Sequence, residues 1–198
     1  MVRAGPKRRV PSVDPMTDAR DVVSTSSTDE QSPTDEQSPT DEQSPSGDAN
    51  PGAAVEEAVR RSLALVDTWI HWDGRPRVSE DGDRVYTPHK AVRRIADHLI
   101  DHLAEVEARL AGVETQPDNW HASLVTLESD WARFTEADRD EARQRLPRLA
   151  RTFALRLAAA GAAEWDRPRG DAWTLREIAD HLTGVLWYAQ QVGRLAAE

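Results

Sequence analysis

The sequence predicts an all-α protein, a four-helix bundle that follows a disordered N-terminal tail. Three observations indicate this fold class. Beyond about residue 53, apolar side chains recur at the three- and four-residue spacing of helices. Capping residues and glycines mark where these stretches begin and end. No segment alternates between apolar and polar residues for long enough to form a sheet strand, so we expect the helices to cover one another in a bundle.

The first part of the chain, residues 1–52, is predicted to be a disordered acidic low-complexity tail, and residues 53–198 form the predicted helical domain. The tail contains three consecutive copies of Thr-Asp-Glu-Gln-Ser-Pro, at 28–33, 34–39 and 40–45. Each copy lacks a large apolar side chain, so the segment cannot bury enough surface to offset its chain entropy. We interpret it as a solvated tail, and its serines and threonines would also permit phosphorylation and partner docking.

The overall charge and the absence of cysteine exclude several classes of protein. The 25 lysines and arginines are outnumbered by 35 aspartates and glutamates, for a formal net charge of -10. Phosphate backbones require clustered positive charge, so we expect no nucleic-acid partner. Without cysteine there is no disulfide, no thiolate ligand and no protein thiol nucleophile. No apolar run has the length of a signal-peptide core or a membrane span, so we expect a cytoplasmic protein with no membrane partner.

The first predicted helix begins at Asn50-Pro51, which form a cap and a first-turn proline. Its apolar face consists of Val55, Val59, Leu63, Val66 and Ile70. The following segment, 71–86, holds two Asp-Gly turns and few apolar residues, so it is predicted to be a long connection. A small hairpin is predicted inside it, between Val78 and Val85.

The second predicted helix begins at Thr87, with Pro88 in its first turn, and ends at Gly112. Its apolar stripe consists of Val92, Ile95, Leu99, Leu103, Val106 and Leu110. A short amphipathic helix is predicted to follow as the crossover of the bundle. Its apolar residues are Trp120, Leu124, Leu127, Trp131 and Phe134.

A capping box of Thr135 and Asp138 marks the start of the third predicted helix, and Gly161 marks its end. Pro147 should kink this helix or mark its true start. Its apolar face consists of Leu146, Leu149, Phe153, Leu157 and Ala160.

The fourth predicted helix begins with a capping box of Thr174 and Glu177, and Trp173 and Ile178 are placed for a hydrophobic staple. Its apolar face consists of Leu175, Ile178, Leu182, Val185, Ala189 and Val192. Glu177 also lies four residues before His181 and could be a metal ligand, but its role in the cap is the simpler interpretation.

A repeated pentapeptide points to a metal site. Ile-Ala-Asp-His-Leu occurs at 95–99 and again at 178–182, which indicates pseudo-symmetric halves in which His98 and His181 occupy equivalent helix positions. His102 lies four residues after His98, on the same helix face and about 5–6 Å away at Cβ. Three neutral imidazoles from facing helices leave open coordination positions, which is typical of a catalytic metal site. The sequence therefore predicts a metal site at His98, His102 and His181.

The same histidines also fit a structural interpretation, as a solvated helix face or as hydrogen-bonded residues at the edge of the core. Leu99 follows His98, so the His-Glu-x-x-His motif of zinc proteases is absent, and the sequence assigns neither a catalytic base nor a cofactor-binding residue. The remaining histidines are interpreted as surface residues: His71, His89 and His121. Three tryptophans could wall a pocket above the metal or, more simply, belong to the core: Trp69, Trp173 and Trp187.

Two segments resemble a known superfamily. The DinB/YfiT-like proteins have a helix signature that is similar to the run Trp-Thr-Leu-Arg-Glu-Ile-Ala-Asp-His-Leu at 173–182, preceded here by Trp-Asp-Arg-Pro at 165–168. The second predicted helix, with its pair of histidines, resembles the other metal-bearing helix of that superfamily. The resemblance covers roughly residues 53–198.

The resemblance implies a four-helix bundle with an up-down-down-up path, a zinc or nickel ion held by three histidines, and in many relatives a homodimer. Relatives include mycothiol-dependent maleylpyruvate isomerases and other thiol transferases, so it also implies a small-molecule substrate and a low-molecular-weight thiol. In most relatives the lone histidine precedes the pair, whereas here His98 and His102 precede His181. We therefore carry over the metal site and no substrate-binding residue.

Three functions remain open at the level of the sequence. The first is a metal-dependent S-transferase or isomerase that uses a low-molecular-weight thiol. The second is a metal-dependent hydrolase, whose candidate base would be Asp97, Asp101 or Asp180, although helical geometry points these residues away from the histidine face. The third is a non-catalytic, stress-related or partner-binding bundle, recruited through the acidic tail.

Overall fold

The computed structural model describes residues 49–79, 82–116 and 121–197. They lie within one compact unit of the chain, Gln43–Glu198. This part is mostly helical and carries one short two-stranded ribbon, which confirms the predicted all-α class. The predicted tail, 1–52, lies almost wholly outside the described residues, so its disorder and its boundary stay predictions.

The helices and strands of the described residues are, in chain order, α1 (Gly52–Val66), β1 (Arg77–Val78), β2 (Val85–Tyr86), α2 (Pro88–Ala111), α3 (His121–Leu124), α4 (Glu136–Ala160), α5 (Ala162–Trp165), α6 (Leu175–Leu182) and α7 (Val185–Val192). Two 3-10 turns lie in the connections, at Trp69–His71 and Glu128–Trp131. Within the described ranges, no helix has both the length and the apolar character needed to cross a membrane.

Asn50 and Pro51 set the start of α1, as the sequence predicts. The Asn50 Oδ1 accepts a hydrogen bond from the Gly52 N–H at 2.9 Å. Pro51 has helical backbone angles and needs no donor at this position. The helix ends at Val66, one turn before the predicted Ile70, and from Thr68 onward the backbone bonds span three residues rather than four.

The connection after α1 contains the predicted hairpin, in which β1 and β2 pair antiparallel with Val78 opposite Val85. α2 then begins as predicted, since the Thr87 hydroxyl accepts a hydrogen bond from the Lys90 N–H. It ends at Gly112, whose φ of 68° is a left-handed conformation that glycine adopts without strain. Both ends of α2 therefore follow from local sequence signals.

The predicted short amphipathic helix between α2 and α4 is wrong. The chain forms the single turn α3 and a separate 3-10 turn, with Leu127 extended between them. The Asp130 carboxylate accepts from the Leu127 N–H at 2.8 Å and from the Arg93 guanidinium of α2 at 2.6 Å. These polar bonds fix the segment against α2 and prevent a continuous helix. Of its predicted apolar residues, two are exposed and a third lies outside the described residues: Leu124 and Trp131, and Trp120.

α4 starts with the predicted capping box. The Thr135 hydroxyl accepts from the Asp138 N–H, and the Asp138 carboxylate accepts from the Thr135 N–H at 2.8 Å. Pro147 lies inside the helix and so does not mark its start. The helix ends at Gly161, as predicted.

The fourth predicted helix is divided into α6 and α7. It begins as predicted, with Thr174 and Glu177 in a reciprocal capping box. At Thr183 and Gly184 the backbone bonds span three residues instead of four. A Cβ on Gly184 would lie 3.0 Å from the His181 carbonyl oxygen, so glycine suits this tight step. The step therefore comes directly after the predicted metal ligand of α6.

One core joins the helices. α1 packs against α4 and α7, and α2 packs against the same two helices and against α6. The predicted apolar faces supply fully buried side chains, among them Val55, Ile95, Leu99, Leu146, Phe153, Leu157, Ile178 and Leu182. Each such side chain contributes about 1.5–3 kcal/mol when it leaves water. This packing brings α2 and α6, which carry the predicted ligands, against each other; the up-down-down-up order stays a prediction.

α1 and α4 approach each other closely at Gly52. A Cβ at this position would lie 2.5 Å from the Ala154 Cα, a separation that side chains do not tolerate. The Asn50 side-chain amide also donates to the Ala154 carbonyl at 2.9 Å. The start of α1 is therefore fixed directly onto the backbone of α4.

Candidate metal centre

The structure brings the three predicted ligands together. His98 and His102 lie one turn apart on α2, and His181 lies in the last turn of α6. When one ring nitrogen is taken from each histidine, the three nitrogens all lie within 4.8 Å of one another. The ring centroids are 4.7, 4.8 and 5.0 Å apart in the three pairs. The three imidazoles are therefore positioned to bind one metal ion, although the metal site itself stays a prediction.

The two ring nitrogens of His102 have different surroundings. Its Nδ1 lies 2.7 Å from the Glu105 Oε2, so we assign the ring proton to Nδ1, which donates to the carboxylate. Its Nε2 is buried and has no hydrogen-bond partner among the described residues. A buried polar atom without a partner costs about 1–3 kcal/mol. A metal ion would supply that partner, and the His102 environment therefore fits a metal ligand.

Glu105 is fixed in turn by Arg109, one turn further along α2. The guanidinium donates to the Glu105 Oε1 through Nε at 3.1 Å and through a terminal nitrogen. Burial raises the pKa of Glu105, but the hydrogen bonds from His102 and Arg109 outweigh burial, and the pKa lies below its usual value. The carboxylate is therefore ionised at neutral pH, where it orients the His102 ring and increases its basicity as a ligand.

His98 is held in its neutral form by its surroundings. Burial, together with the nearby His102, His181 and Arg94, lowers the pKa of His98 to about 2. Only a neutral imidazole binds a metal ion, so metal binding ordinarily competes with a proton. At His98 that competition is absent throughout the neutral pH range.

Two aromatic side chains flank the cluster at different points. The Trp173 ring lies 4.8 Å from the His181 ring and 6.3 Å from the His102 ring, measured between centroids. The Tyr188 ring, on α7, lies 5.8 Å from the His98 ring. Trp173 is 39% exposed, so the cluster lies close to the surface of the protein on this side.

The three tryptophans that could belong to the core or to a pocket wall have different positions. Trp69 is fully buried and its indole N–H donates to the Gly193 carbonyl at 2.8 Å, which confirms its place in the core. Trp187 is half-buried and packs edge-on against Tyr86. For Trp173 the core interpretation is wrong, because its exposed ring lies beside two of the histidines.

The other candidate residues do not extend the cluster. The Glu177 carboxylate accepts from the Thr174 N–H at 2.7 Å, which confirms its role in the cap. His71 is exposed, as predicted, whereas His89 is half-buried. The side chain of His121 lies outside the described residues.

Sequence reasoning missed two residues beside the cluster, Glu105 and Arg94. Glu105 follows His102 by three positions, and Arg94 precedes His98 by four. Side chains at these spacings share one helix face. This spacing could have pointed to both residues. It does not by itself distinguish a side chain that contacts the histidines from a charged side chain that is exposed to solvent.

Comparison with known proteins gives no identification, because no protein family, curated protein or solved structure matches this chain. Any assignment of function therefore depends on the geometry of the site and on the resemblance of the two histidine-bearing segments.

Proposed function

We propose that this chain is a metal-dependent enzyme whose centre consists of His98, His102 and His181. The main support is the His102 ring, whose Nδ1 is bonded to Glu105 while its buried Nε2 has no partner among the described residues. Nε2 is therefore the atom that His102 offers to a metal ion, and two further imidazoles lie within reach of the same point.

The donor set favours a catalytic centre over a structural one. Structural zinc sites are closed by four protein ligands, whereas catalytic sites keep a position open. Among the described residues, the cluster contains three ligands and no further histidine, aspartate or glutamate. Imidazole nitrogens suit zinc and nickel, so we propose one of these ions.

We propose that the helices form a DinB-like four-helix bundle with an up-down-down-up path. Two observations support this: α1 and α2 each pack against both α4 and α7, and the run at 173–182 resembles the signature of that superfamily. The order of the ligands, with the pair before the lone histidine, is the feature in which this chain departs from most relatives.

The proposed reaction is a group transfer or isomerisation that uses a low-molecular-weight thiol. When bound, the metal would lower the pKa of a thiol at its open position and so favour the thiolate. The chain has no cysteine, so the thiol must come from a small molecule. The exposed indole of Trp173, beside His102 and His181, offers an apolar wall against which such a molecule can pack.

A hydrolase built on the same centre has less support. It requires a base close to the open position, and two of the three candidates are poorly suited to that role. Asp97 pairs with Arg93 at an oxygen–nitrogen distance of 3.6 Å, and Asp180 is exposed. The partner-binding alternative depends on the tail, which lies outside the described residues.

The metal centre is tested by elemental analysis of the full chain, expressed without a histidine tag, beside the His98→Ala/His181→Ala variant. We expect near-stoichiometric zinc or nickel in the natural chain and its loss in the double variant. His71→Ala is the matched control, because His71 is exposed and lies outside the cluster, and it should keep the metal. No metal in the natural chain, after reloading with either ion, would overturn the proposal and make the histidines structural.

The reaction is tested by incubating the metal-loaded chain with a panel of small thiols and electrophiles. Consumption of an electrophile only when thiol and metal are both present would support the transferase or isomerase. Turnover of esters or amides without added thiol would support the hydrolase instead. A function that is lost only when residues 1–48, which precede the Asn50 cap of α1, are deleted would support the partner-binding bundle.

A further inference from the structure

Arg94 is a half-buried arginine without an acidic partner among the described residues. Its terminal nitrogens donate to two hydroxyls, those of Ser123 and Tyr188, the latter at 2.8 Å. Arg93 and Arg109, on the same helix, each pair with a carboxylate. Moving a guanidinium partly out of water without a counter-ion costs free energy. Arg94 is therefore positioned to bind an anion that the described residues do not supply.

Arg94 lies beside the proposed metal centre. It precedes His98 by one turn, which puts both side chains on the same face of α2, about 5–6 Å apart at Cβ. Both also contact Tyr188, whose ring centroid lies 4.7 Å from the Arg94 Cζ and 5.8 Å from the His98 ring. The Arg94 charge is one of the causes that lower the pKa of His98. The guanidinium is thus a close neighbour of the cluster at its His98 end.

The three proposed ligands, the ones that the described part of the chain supplies, do not neutralise a divalent ion. Three neutral imidazoles contribute no negative charge. Glu105 already binds His102 and Arg109, and Asp97 pairs with Arg93. An anionic ligand at the centre would therefore offset part of the positive charge of the metal ion and of the neighbouring guanidinium.

We propose that Arg94 and the metal centre together form a binding site for a small oxyanion, so that the substrate carries a carboxylate or phosphate group. This inference rests on the proposed metal centre and names the class of its substrate. A guanidinium matches planar oxyanions through paired N–H donors. Each terminal nitrogen of Arg94 carries a second N–H beyond its bond to a hydroxyl. The bonds to Ser123 and Tyr188 orient the guanidinium without neutralising it, since hydroxyls are uncharged.

The experiment titrates the Co²⁺-loaded full chain with acetate and, separately, with phosphate, and follows the visible absorption of the cobalt. We expect the natural chain to bind at least one anion, and Arg94→Gln to weaken that binding about tenfold or more, as for the loss of a charge-assisted hydrogen bond. Arg94→Lys keeps the positive charge and should recover part of the affinity. Both variants should hold as much Co²⁺ as the natural chain.

Ser123→Ala is the matched control, because it removes one hydroxyl partner and keeps the guanidinium. It should lose much less anion affinity than Arg94→Gln, because Tyr188 still orients the guanidinium, and an equal loss in this variant would make Arg94 a structural clamp and overturn the inference. Binding of neither anion, or equal affinity in the natural chain and Arg94→Gln, would overturn the inference and leave the metal centre intact. A natural chain that binds no Co²⁺ would overturn the metal centre and the inference together.

Discussion

The Glu105 carboxylate determines which ring nitrogen of His102 can bind a metal ion. The Glu105 carboxylate binds Nδ1 at 2.7 Å and leaves the buried Nε2 without a partner among the described residues. Arg109 holds that carboxylate from the next turn. The three side chains therefore form a row along α2 that fixes both the orientation and the tautomer of the ring.

Glu105→Ala is expected to weaken metal binding about 10- to 100-fold, the usual effect of removing a carboxylate that orients a histidine ligand. The affinity is measured by competition with a chromophoric chelator. Glu107→Ala is the control, because Glu107 is an exposed glutamate of the same helix that pairs with Arg156 of α4. Equal affinities in the two variants would show that Glu105 does not support the ligand.

The low pKa of His98 predicts that the stability of the metal-free protein depends on pH. In the unfolded chain His98 takes up a proton near its ordinary pKa of 6.5, whereas in the folded chain it does so only near pH 2. Between these values the unfolded state binds more protons, so the free energy of unfolding falls as the pH falls below about 6.5. The expected loss is about 2 kcal/mol between pH 7 and pH 5.

This loss is measured by urea unfolding at both pH values in the presence of a chelator, for the natural chain and for His98→Gln. Glutamine does not titrate, so the variant should lose about 2 kcal/mol less than the natural chain over the same interval. The charged and titratable groups that lower the pKa of His98, namely His102, His181 and Arg94, remain in both proteins. The same pH dependence in both would mean that His98 is not protected from protonation.

The ligands could be predicted from the sequence because a helix places residues four apart on one face, and because the repeated pentapeptide made His98 and His181 equivalent. The roles of Glu105 and Arg94 could not be predicted in the same way. Acidic and basic residues are frequent along this helix, and only the packed structure shows which of them contact a histidine or lack a counter-ion.

At the scale of the elements, helix ends were predictable wherever a local side chain sets them. The caps at Thr87, Thr135 and Thr174 each bond a backbone N–H of their own first turn. The breaks were not predictable from the apolar pattern. In the crossover, Asp130 binds Arg93 of α2, and in the last helix the tight step at Gly184 interrupts a regular apolar pattern.

Gly52→Ala is expected to destabilise the protein by about 1–3 kcal/mol, the usual cost of overpacking. Alanine has the better helix propensity, by about 1 kcal/mol, so propensity alone predicts the opposite sign. Packing should prevail because the added Cβ would lie 2.5 Å from the Ala154 Cα, which is backbone and cannot rotate away.

The measurement is urea unfolding of Gly52→Ala beside Ala53→Gly. Ala53 is exposed, so its replacement reports the propensity effect without a packing change. If Gly52→Ala proved more stable than the natural chain, α1 would have room to move away from α4 at this point.

At the scale of the whole molecule, the packing of the helices creates the site, because α2 and α6 carry the ligands and are distant in the chain. The apolar faces of the main helices were predictable from their periodicity, and nearly all of those side chains are buried or partly buried. Which helix packs on which was not predictable, since each apolar stripe could cover any other.

Removal of the metal should lower the melting temperature of the protein by about 5–10 °C. An ion present at about 100 times its Kd stabilises the folded state by about 2.7 kcal/mol, and each kcal/mol is worth about 2–4 °C in a domain of this size. Thermal unfolding with and without a chelator measures the change. In the His98→Ala/His181→Ala variant the chelator should not change the melting temperature. A similar decrease in that variant would mean that the stabilising ion binds at another site.

The position of Trp173 also has an optical consequence. Its indole lies 4.8 Å from the His181 ring and is 39% exposed, so a change at the centre takes place next to a fluorophore that belongs to the chain. Nickel and cobalt ions have partly filled d shells and quench indole emission at short range, whereas zinc, with a filled shell, does not. A loss of tryptophan emission on metal loading would therefore indicate nickel or cobalt at the centre, whereas zinc would leave the emission unchanged, and Trp173→Phe should remove most of that loss.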